Sequence, residues 1–429
     1  MDSKSENLKR NVKKDILSNG LTIVTEEIPY VESISINMGV RCGSRHEAPG
    51  LEGMAHLVEH MLFKGTKSIP SPSKISELIE ISGGSLNAAT DYETTVYWCR
   101  VLSEKAEESL QLLFQLITEP LLRPVDLELE RKVIIEEINS VNDFPNSRAD
   151  VLLDELMWPG TSLGRDIAGT IETVSNLSHE SLVRFIKEKY NSNSVVISAA
   201  GNLNHNEVID IVGPMSETLN VSSDNIFNKI NYTSNKPTFI REDRVTEQAH
   251  ISIGFPGTSR DNGARYALDL LIAILGEGMS SRLFQEIREK RGLAYDIGAG
   301  TSHHADTGVV NIYAAVDSKK YNDAVHVISE EVQKLKTNTH IEELDKVKSL
   351  YKGRMKLNME NTRSVATWNC NQLLHGSASG FQSPEEFIEK ISQVDLENIR
   401  NVASQYLSEE DMNVAVVGPV NPHDDPYQI

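Results

Sequence analysis

The chain repeats one helix-then-strand plan at an interval of half its length. The paired segments are helices at residues 177–190 and 394–406 and strands at residues 195–203 and 413–420. Tyr190 and Tyr406 lie 216 residues apart, and Gly201 and Gly418 lie 217 apart. Two landmarks at nearly one offset, in a chain of 429 residues, indicate a duplicated unit rather than a chance match.

The duplication predicts two domains of similar design. Residues 1–225 would form an N-terminal domain and residues 226–429 a homologous C-terminal domain, joined by the polar stretch 216–236. Segments with strand or helix periodicity occur in both halves: strands at 21–25, 33–39 and 248–255, and helices at 266–275 and 325–335. Because strands group with helices rather than alternating strictly, we expect an α+β fold. Its two duplicated α/β layer domains would each pack helices on a mostly antiparallel sheet.

The ends of the two repeated helices carry capping signals. Ser178 is the expected N-cap of the first helix and Asp395 that of the second. Three residues after Ser178 stands Ser181 rather than Glu or Gln, so we expect an incomplete capping box there.

Charge and apolar patterning limit the partners. The chain has 42 Lys and Arg against 62 Asp and Glu, a net charge of −20. Such a chain repels phosphate backbones, so nucleic acid is not expected and basic peptides are favoured. A charge that serves only solubility is the alternative. No run approaches the length of a membrane span, and no membrane partner is expected.

The compartment follows from the N-terminus and the cysteines. Residues 1–14 lack the apolar core of a secretory signal and contain acidic residues, which transit peptides avoid. Cys42, Cys99 and Cys370 are too scattered for a disulfide framework and are expected to be small buried side chains. We therefore expect a cytoplasmic protein, or a mitochondrial matrix protein if the chain is a processed eukaryotic form.

The sequence His56-Leu-Val-Glu-His60 predicts a metal site. On a helix, His56 and His60 project from one face, one turn apart, and can share one metal ion. Glu59 lies close enough to reach a water on that ion. The alternative is two core histidines that meet by chance. Two imidazoles and a carboxylate on one buried face are, however, destabilising without a metal or other partners.

A catalytic zinc needs a third protein ligand and an open position. The predicted helix at residues 124–138 offers Glu130 and Glu137, which are seven residues apart and share a face, whereas Glu136 points away. By spacing alone, an ordinary exposed acidic helix surface remains the alternative.

Four segments together resemble one known family. They are His56–Thr66 with the run His60-Met-Leu-Phe-Lys-Gly-Thr66, Gly84-Ser-Leu-Asn-Ala88, Glu130-Arg-Lys-Val-Ile-Ile-Glu-Glu137, and the segment from Arg288 to Tyr295. In this order they resemble the motifs of the pitrilysin/insulinase-type zinc peptidases, most closely the branch of the mitochondrial processing peptidase β subunit and its bacterial homologues.

The resemblance assigns roles to the metal-site residues. It implies one Zn²⁺ per chain, held by His56, His60 and Glu137. Glu59 would be the general base, and Glu130 would support the site from beside the ligands. The second half has no H-x-x-E-H sequence, so we expect a homologous domain without a metal.

The resemblance also implies residues that touch the substrate. Asn87 and Ala88 would lie on an edge strand that pairs with an extended peptide, and without the family an ordinary core strand is the alternative. Arg288 and Tyr295 would reach the substrate from the second domain, where the Tyr295 hydroxyl could stabilise the oxyanion. By local sequence alone, Arg288 would belong to a charged helix face and Tyr295 would be an aromatic residue of a strand.

The expected function is therefore a zinc-dependent endopeptidase that hydrolyses peptides or unfolded, presequence-like segments. A homodimer is expected. The alternatives are a non-catalytic subunit or scaffold of the same fold, and a different hydrolase that uses the same metal.

Overall fold

A computed structural model of the chain describes residues 10–222, 227–230, 238–376 and 380–419. The chain forms two compact units, described separately below. The first consists of Met1–Ile135, Ile167–Phe227 and Leu357–Gly376, and the second of Glu136–Asp166, Asn228–Lys356 and Ser377–Ile429. The predicted halves, 1–225 and 226–429, differ from these units mainly by two exchanged segments, residues 136–166 and 357–376.

The strands within the described residues are β1 Val12–Ile16, β2 Thr22–Glu27, β3 Ser33–Val40, β4 Ser85–Thr90, β5 Thr95–Leu102, β6 Val195–Gly201, β7 Thr238–Asp243, β8 Gln248–Pro256, β9 Ala294–His303, β10 Gly308–Asp317 and β11 Asn413–Gly418. The α-helices are α1 Met54–Leu62, α2 Pro72–Glu80, α3 Ala106–Thr118, α4 Pro124–Asp143, α5 Pro145–Met157, α6 Ile171–Asn176, α7 His179–Lys189, α8 His205–Ser216, α9 Arg265–Gly276, α10 Tyr321–Thr337, α11 Ile341–Asn358, α12 Thr362–Leu374, α13 Pro384–Gln393 and α14 Leu396–Tyr406. The predicted repeat segments correspond to α7 with β6 and to α14 with β11.

The strands of the two sheets follow the same spatial order. The first sheet runs β1-β2-β6-β3-β5-β4 and the second β7-β11-β8-β10-β9. Among the described residues, the second sheet has counterparts of β2 to β6 and none of β1. In each sheet one pair is parallel, β2 with β6 and β7 with β11, and the other pairs are antiparallel. The predicted fold class, two duplicated α/β layer domains with mostly antiparallel sheets, is confirmed.

The repeated glycines Gly201 and Gly418 end equivalent strands for the same reason. Their φ angles are 141° and 152°. A Cβ atom on Gly201 would lie 2.2 Å from the carbonyl oxygen of Ser33, and one on Gly418 would lie 2.8 Å from Cα of Ala249. Only glycine combines this backbone conformation with so close a neighbour. The landmark that revealed the duplication is therefore a steric requirement of the fold.

Each unit takes one helix from the other half of the sequence. Helix α5, from the first half, packs on β8 and β11, and α12, from the second half, packs on β3 and β6. A Cβ atom on Gly39 of β3 would lie 2.6 Å from the Leu374 side chain, and one on Gly254 of β8 would lie 2.9 Å from Leu153. Each glycine thus makes room for the exchanged helix on its sheet.

Polar contacts attach α12 to the first sheet. The Asn369 amide donates to Glu26 Oε2 at 2.9 Å, and the hydroxyls of Ser35 and Thr362 lie 2.9 Å apart. All four side chains belong to buried residues. Because a buried polar group without its partner is destabilising, the first unit depends on a helix that the sequence places after residue 356.

The predicted incomplete capping box of α7 is wrong, although its predicted N-cap is correct. Ser178 caps α7, as expected, by accepting from the Ser181 amide at 3.1 Å. The Ser181 hydroxyl also accepts from the Ser178 amide at 3.1 Å, so the capping box is complete. The short serine side chain serves here in the place that Glu or Gln usually fills. Asp395 caps α14, accepting from the Asn398 amide at 2.8 Å.

The remaining expectations concern single segments. Ser216 is the last residue of α8, and residues 223–226 and 231–237 of the predicted linker lie outside the described residues. Cys42, Cys99 and Cys370 are free and buried, as expected, and burial raises the pKa of Cys99 to about 12. In the described part of the chain, no helix combines the length and apolarity needed to cross a bilayer.

Candidate metal centre

Helix α1, which carries the two histidines of the motif, is capped by a residue upstream of it. Glu47 is buried, and its Oε1 accepts from the Ala55 amide at 2.8 Å while Oε2 accepts from the Gly53 amide at 3.1 Å. The first amide groups of a helix have no hydrogen-bond partner within the helix, and a carboxylate at this position accepts from them. Its negative charge also complements the helix dipole. Glu47 therefore fixes the first turn of the helix, which bears His56.

Burial of one face orients α1. Leu57, Val58 and Met61 are at most 1% exposed, whereas His56, Glu59 and His60 are only partly buried. The apolar side chains anchor the helix in the core. The two histidines and the glutamate consequently lie together on the face that leaves the core.

The two imidazoles point at one place. Nε2 of His56 and Nε2 of His60 are 3.3 Å apart, and the ring planes meet at 79°. Two nitrogens bound to one tetrahedral zinc at 2.0–2.1 Å would be separated by about 3.3–3.4 Å. The observed separation is that of two ligands of one ion.

Helix α4 supplies the third group. Ligand atoms of His56, His60 and Glu137 all lie within 4.8 Å of one another, and all three residues are partly buried. Among the described residues this is the one group of three His, Cys, Asp or Glu side chains that meets that distance. The neighbouring Glu136 is exposed, as its helical position predicts.

The chemistry of this set suits zinc. Two imidazole nitrogens and one carboxylate oxygen are a known set for catalytic zinc, which keeps a fourth position for water or substrate. Burial, with the nearby charge of His60 as a smaller cause, lowers the pKa of His56 to about 4. At neutral pH this imidazole is therefore uncharged, the form that binds a metal. The residues present fit a zinc ion.

Glu130, which the resemblance places beside the ligands, lies next to His60. Its Oε2 is 3.0 Å from Nδ1 of His60, and its Oε1 is 2.5 Å from Nζ of Lys64. A proton on Nδ1 shared with this carboxylate leaves Nε2 with its lone pair directed at the metal position. Lys64 balances the charge of Glu130, which is 5% exposed. The sequence contained Lys64 in the resembling Phe-Lys-Gly run, but no role was predicted for it.

Glu59 is held from β4. The Thr90 hydroxyl donates to Glu59 Oε2 at 2.5 Å, a short hydrogen bond of the kind that a charged acceptor makes. Sequence reasoning missed Thr90. The one available signal was its position three residues after Asn87, on the same strand.

The second sheet contains the same contact at an equivalent position. In the first sheet Thr90 lies opposite Thr95, which lies opposite Val40, the residue after Gly39. In the second sheet Thr301 lies opposite Val310, which lies opposite Phe255, the residue after Gly254. The Thr301 hydroxyl donates to Asp269 Oδ1 at 2.5 Å. Asp269, on α9, is therefore the counterpart of Glu59.

This equivalence shows what the second unit has in place of the motif. His56 stands three residues before Glu59, and His60 stands one residue after it. The residues at the same offsets from Asp269 are Tyr266 and Leu270. Both are buried, and the Tyr266 hydroxyl is 3.0 Å from the amide nitrogen of Gln382. Neither side chain has an imidazole to offer. The expectation of a second domain without this metal site stays a prediction.

Asn87 and Ala88 lie on β4, beside the metal centre. β4 is the last strand in the order of the first sheet, and its described partner is β5. Asn87 is exposed and Ala88 is partly buried. This placement is that of an edge strand, as predicted, and pairing of a substrate with it stays a prediction.

Arg288 and Tyr295 lie together in the second unit. Arg288 belongs to a π-helical segment, Phe284–Lys290, and Tyr295 to β9. The guanidinium carbon of Arg288 is 5.1 Å from the centroid of the Tyr295 ring, a cation–π contact, and Tyr295 is 74% exposed. π-Helical segments are rare and often mark functional sites, so Arg288 and Tyr295 are candidates for a functional surface of the second unit. Its contact with the substrate stays a prediction.

Comparison with known proteins gives the family. Residues 22–171 match the family model described as insulinase, peptidase family M16, and residues 176–351 match the one described as the peptidase M16 inactive domain. The chain belongs to peptidase family M16, the insulinase family, and the predicted resemblance to pitrilysin/insulinase-type peptidases is confirmed.

Individual relatives agree with this assignment. An uncharacterized zinc protease of Rickettsia bellii is 33% identical over 417 residues, which cover 96% of this chain and 99% of the relative. The uncharacterized zinc protease YmxG of Bacillus subtilis is 33% identical over 410 residues, covering 95% and 98%. A crystal structure described as a peptidase M16 inactive domain from Pseudomonas fluorescens covers 97% of this chain and 100% of its own, with a TM-score of 0.88 at 19% identity. The last match concerns the fold alone.

Proposed function

We propose that the chain is an active zinc-dependent endopeptidase whose zinc is held by His56, His60 and Glu137. The observation that carries the proposal is the 3.3 Å separation of the two Nε2 atoms, with a Glu137 oxygen within 4.8 Å. Two imidazoles and a carboxylate at this spacing would fit a catalytic zinc ion, which keeps a further position for water or substrate. When bound there, zinc lowers the pKa of a water and polarises the scissile carbonyl.

The protein's own residues divide the remaining work. Glu59, beside His60 on α1, would take a proton from the attacking water and deliver it to the departing amine. Glu130 fixes the orientation of His60 through Nδ1. Tyr295 would donate to the oxyanion, with Arg288 beside it. Each assignment corresponds to one side chain and can be tested separately.

The substrate would be an extended peptide. The edge position of β4 favours backbone pairing along Asn87 and Ala88, and folded proteins do not offer such a segment. The net charge of −20 favours peptides with basic residues. The expected homodimer stays a prediction, which sedimentation equilibrium of the purified chain would test.

A non-catalytic subunit or scaffold is the second candidate, because the family includes a domain described as inactive. In this chain that description applies to residues 176–351, which include Tyr266 and Leu270 at the motif-equivalent positions. The proposed ligands and Glu59 all lie in the match to the other family model, residues 22–171. This distribution favours catalysis over a purely structural role.

The decisive variant is Glu59→Gln, which keeps the shape of the side chain but cannot accept a proton. Zinc should remain at one equivalent per chain while turnover of a quenched fluorogenic peptide falls about 10²–10⁴-fold. The matched control is Asp269→Asn, which changes the equivalent carboxylate of the second unit and should preserve both zinc and turnover. If the wild-type chain with zinc cleaves no peptide in a broad library, the scaffold reading replaces this proposal.

A further inference from the structure

The hydroxyl of Thr90, on β4, donates to the Glu59 carboxylate. It reaches Oε2 at 2.5 Å, while Thr95, across the strand pair, lies 3.4 Å from the same hydroxyl. A glutamate has three side-chain torsions, and burial of its stem alone leaves the carboxylate plane free to turn. A donor from a sheet strand restricts that rotation, because the strand itself is fixed by its ladder to β5.

The duplicated unit shows that the contact is built into the fold. Thr301 makes the same 2.5 Å contact with Asp269 from the equivalent strand position. The second unit has kept the threonine and the carboxylate although its motif positions hold Tyr266 and Leu270. The contact is therefore independent of a metal. In the first unit it acts on the carboxylate that is next to a ligand.

We propose that Thr90 is a positioning residue for the reaction, fixing the Glu59 carboxylate so that it faces the water to be deprotonated. This inference rests on the proposed peptidase function. The strand that carries Thr90 also carries Asn87 and Ala88, so the same strand would align the peptide and the base. A displaced base costs rate because proton transfer needs hydrogen-bond distance in the reacting geometry.

The alternative is that the threonine–carboxylate pair only stabilises the contact between helix and strand. The chain offers its own control for that role. Thr90 and Thr301 are both partly buried, lie at equivalent strand positions and donate at the same distance. Asp269 Oδ1 also lies 2.9 Å from Nε2 of His303, so the fold does not depend on the Thr301 hydroxyl alone to hold this carboxylate. Only Thr90 lies beside the proposed reaction.

The experiment compares Thr90→Val, Thr90→Ser and Thr301→Val in the full zinc-loaded chain. The probe is the quenched fluorogenic peptide that the wild type cleaves fastest, and zinc content is measured on each sample. Thr90→Val should lower kcat about 10–100-fold, the size of a lost hydrogen bond to a charged group, with KM within about threefold and zinc unchanged. Thr90→Ser, which keeps the hydroxyl, should restore kcat to within about threefold of wild type. Thr301→Val should leave kcat unchanged.

A double-mutant cycle shows whether Thr90 acts through Glu59. In a Glu59→Gln chain, adding Thr90→Val should change the residual rate less than about threefold, because no base remains to be positioned. If Thr90→Val does not fold, Thr90→Ala removes the same hydroxyl with less bulk and is used in both arms.

Several results overturn the inference. They are a wild-type kcat in Thr90→Val, an equal loss in Thr301→Val, no rescue by serine, or a full additional loss in the Glu59→Gln background. Each of these requires an active wild-type enzyme, so they refute the role of Thr90 without refuting the peptidase. A wild-type chain that binds zinc and cleaves nothing overturns both proposals.

Discussion

Replacing Glu137 by glutamine tests the metal centre most directly, because the same helix supplies a control one residue away. Glu137 offers a ligand atom within 4.8 Å of both imidazoles, whereas Glu136 on the same helix is exposed. Glu137→Gln and Glu136→Gln remove the same charge from adjacent positions. The comparison therefore separates the loss of a ligand from a change in net charge.

The expected size of the effect follows from the number of ligands. Structural zinc sites bind with roughly 10–16 kcal/mol over four protein ligands, or about 2.5–4 kcal/mol for each. At about 1.4 kcal/mol per factor of ten, the loss of one ligand weakens binding about 10²–10³-fold. Glutamine keeps a carbonyl oxygen, so the lower end of that range is expected. Glu136→Gln should bind zinc as the wild type does.

The assay is a competition titration of zinc between each variant and a chromophoric chelator at pH 7.5, with circular dichroism to confirm the fold. A Glu137→Gln chain that binds zinc within threefold of the wild type would refute the ligand assignment. Equal weakening in both variants would show that the effect is one of overall charge.

Three further outcomes are expected. Tyr295→Phe should lower turnover about 10²–10³-fold with zinc content unchanged, and unaltered turnover would remove its hydroxyl from catalysis. Burial lowers the pKa of His46 and of His56 to about 4. The unfolded zinc-free chain therefore binds protons more readily than the folded chain. The free energy of unfolding consequently decreases as the pH falls from about 6.5 towards 4. At pH 5 the free energy of unfolding in urea should be lower than at pH 7.5 by about 2 kcal/mol for each histidine, and a His46→Gln, His56→Gln chain should show a flatter profile. Residues 1–225 expressed alone should lack cooperative unfolding, because α12 is missing, and a cooperative transition in that fragment would show that the first sheet does not need this helix.

Much of the fold could be predicted because the duplication was visible in the sequence. Gly201 and Gly418 are required by a close backbone neighbour at the same point of each sheet, so their spacing recorded a real constraint. The exchange of α5 and α12 was not predictable in this way. Local periodicity identifies a helix but not the sheet that it covers, and the exchange depends on long-range contacts at Gly39 and Gly254.

The residues of the candidate site also fall into those that could be predicted from the sequence and those that could not. His56 and His60 follow from helical spacing and the chemistry of zinc ligands, because their pattern lies within one helix. Glu137 follows from the family resemblance, because spacing alone left an exposed acidic helix surface as the alternative. Lys64 and Thr90 do not, because their partners Glu130 and Glu59 are far away in sequence. A lysine and a threonine are common surface residues, and only the folded chain shows that they touch the acids of the site.

The two units together indicate which contact of the site does not depend on the metal ligands. Thr90 with Glu59 and Thr301 with Asp269 make one contact twice, at equivalent positions of two sheets with the same order. The residues around that contact differ: imidazoles at 56 and 60, and Tyr266 and Leu270 in the second unit. A strand hydroxyl bonded to a helix carboxylate is thus the common feature of both units, whereas the two imidazoles of the motif accompany it in the first unit. The carboxylate proposed as the base is therefore held by a part of the fold that needs no zinc. This is why Glu59→Gln and Thr90→Val should change the rate while leaving the metal in place.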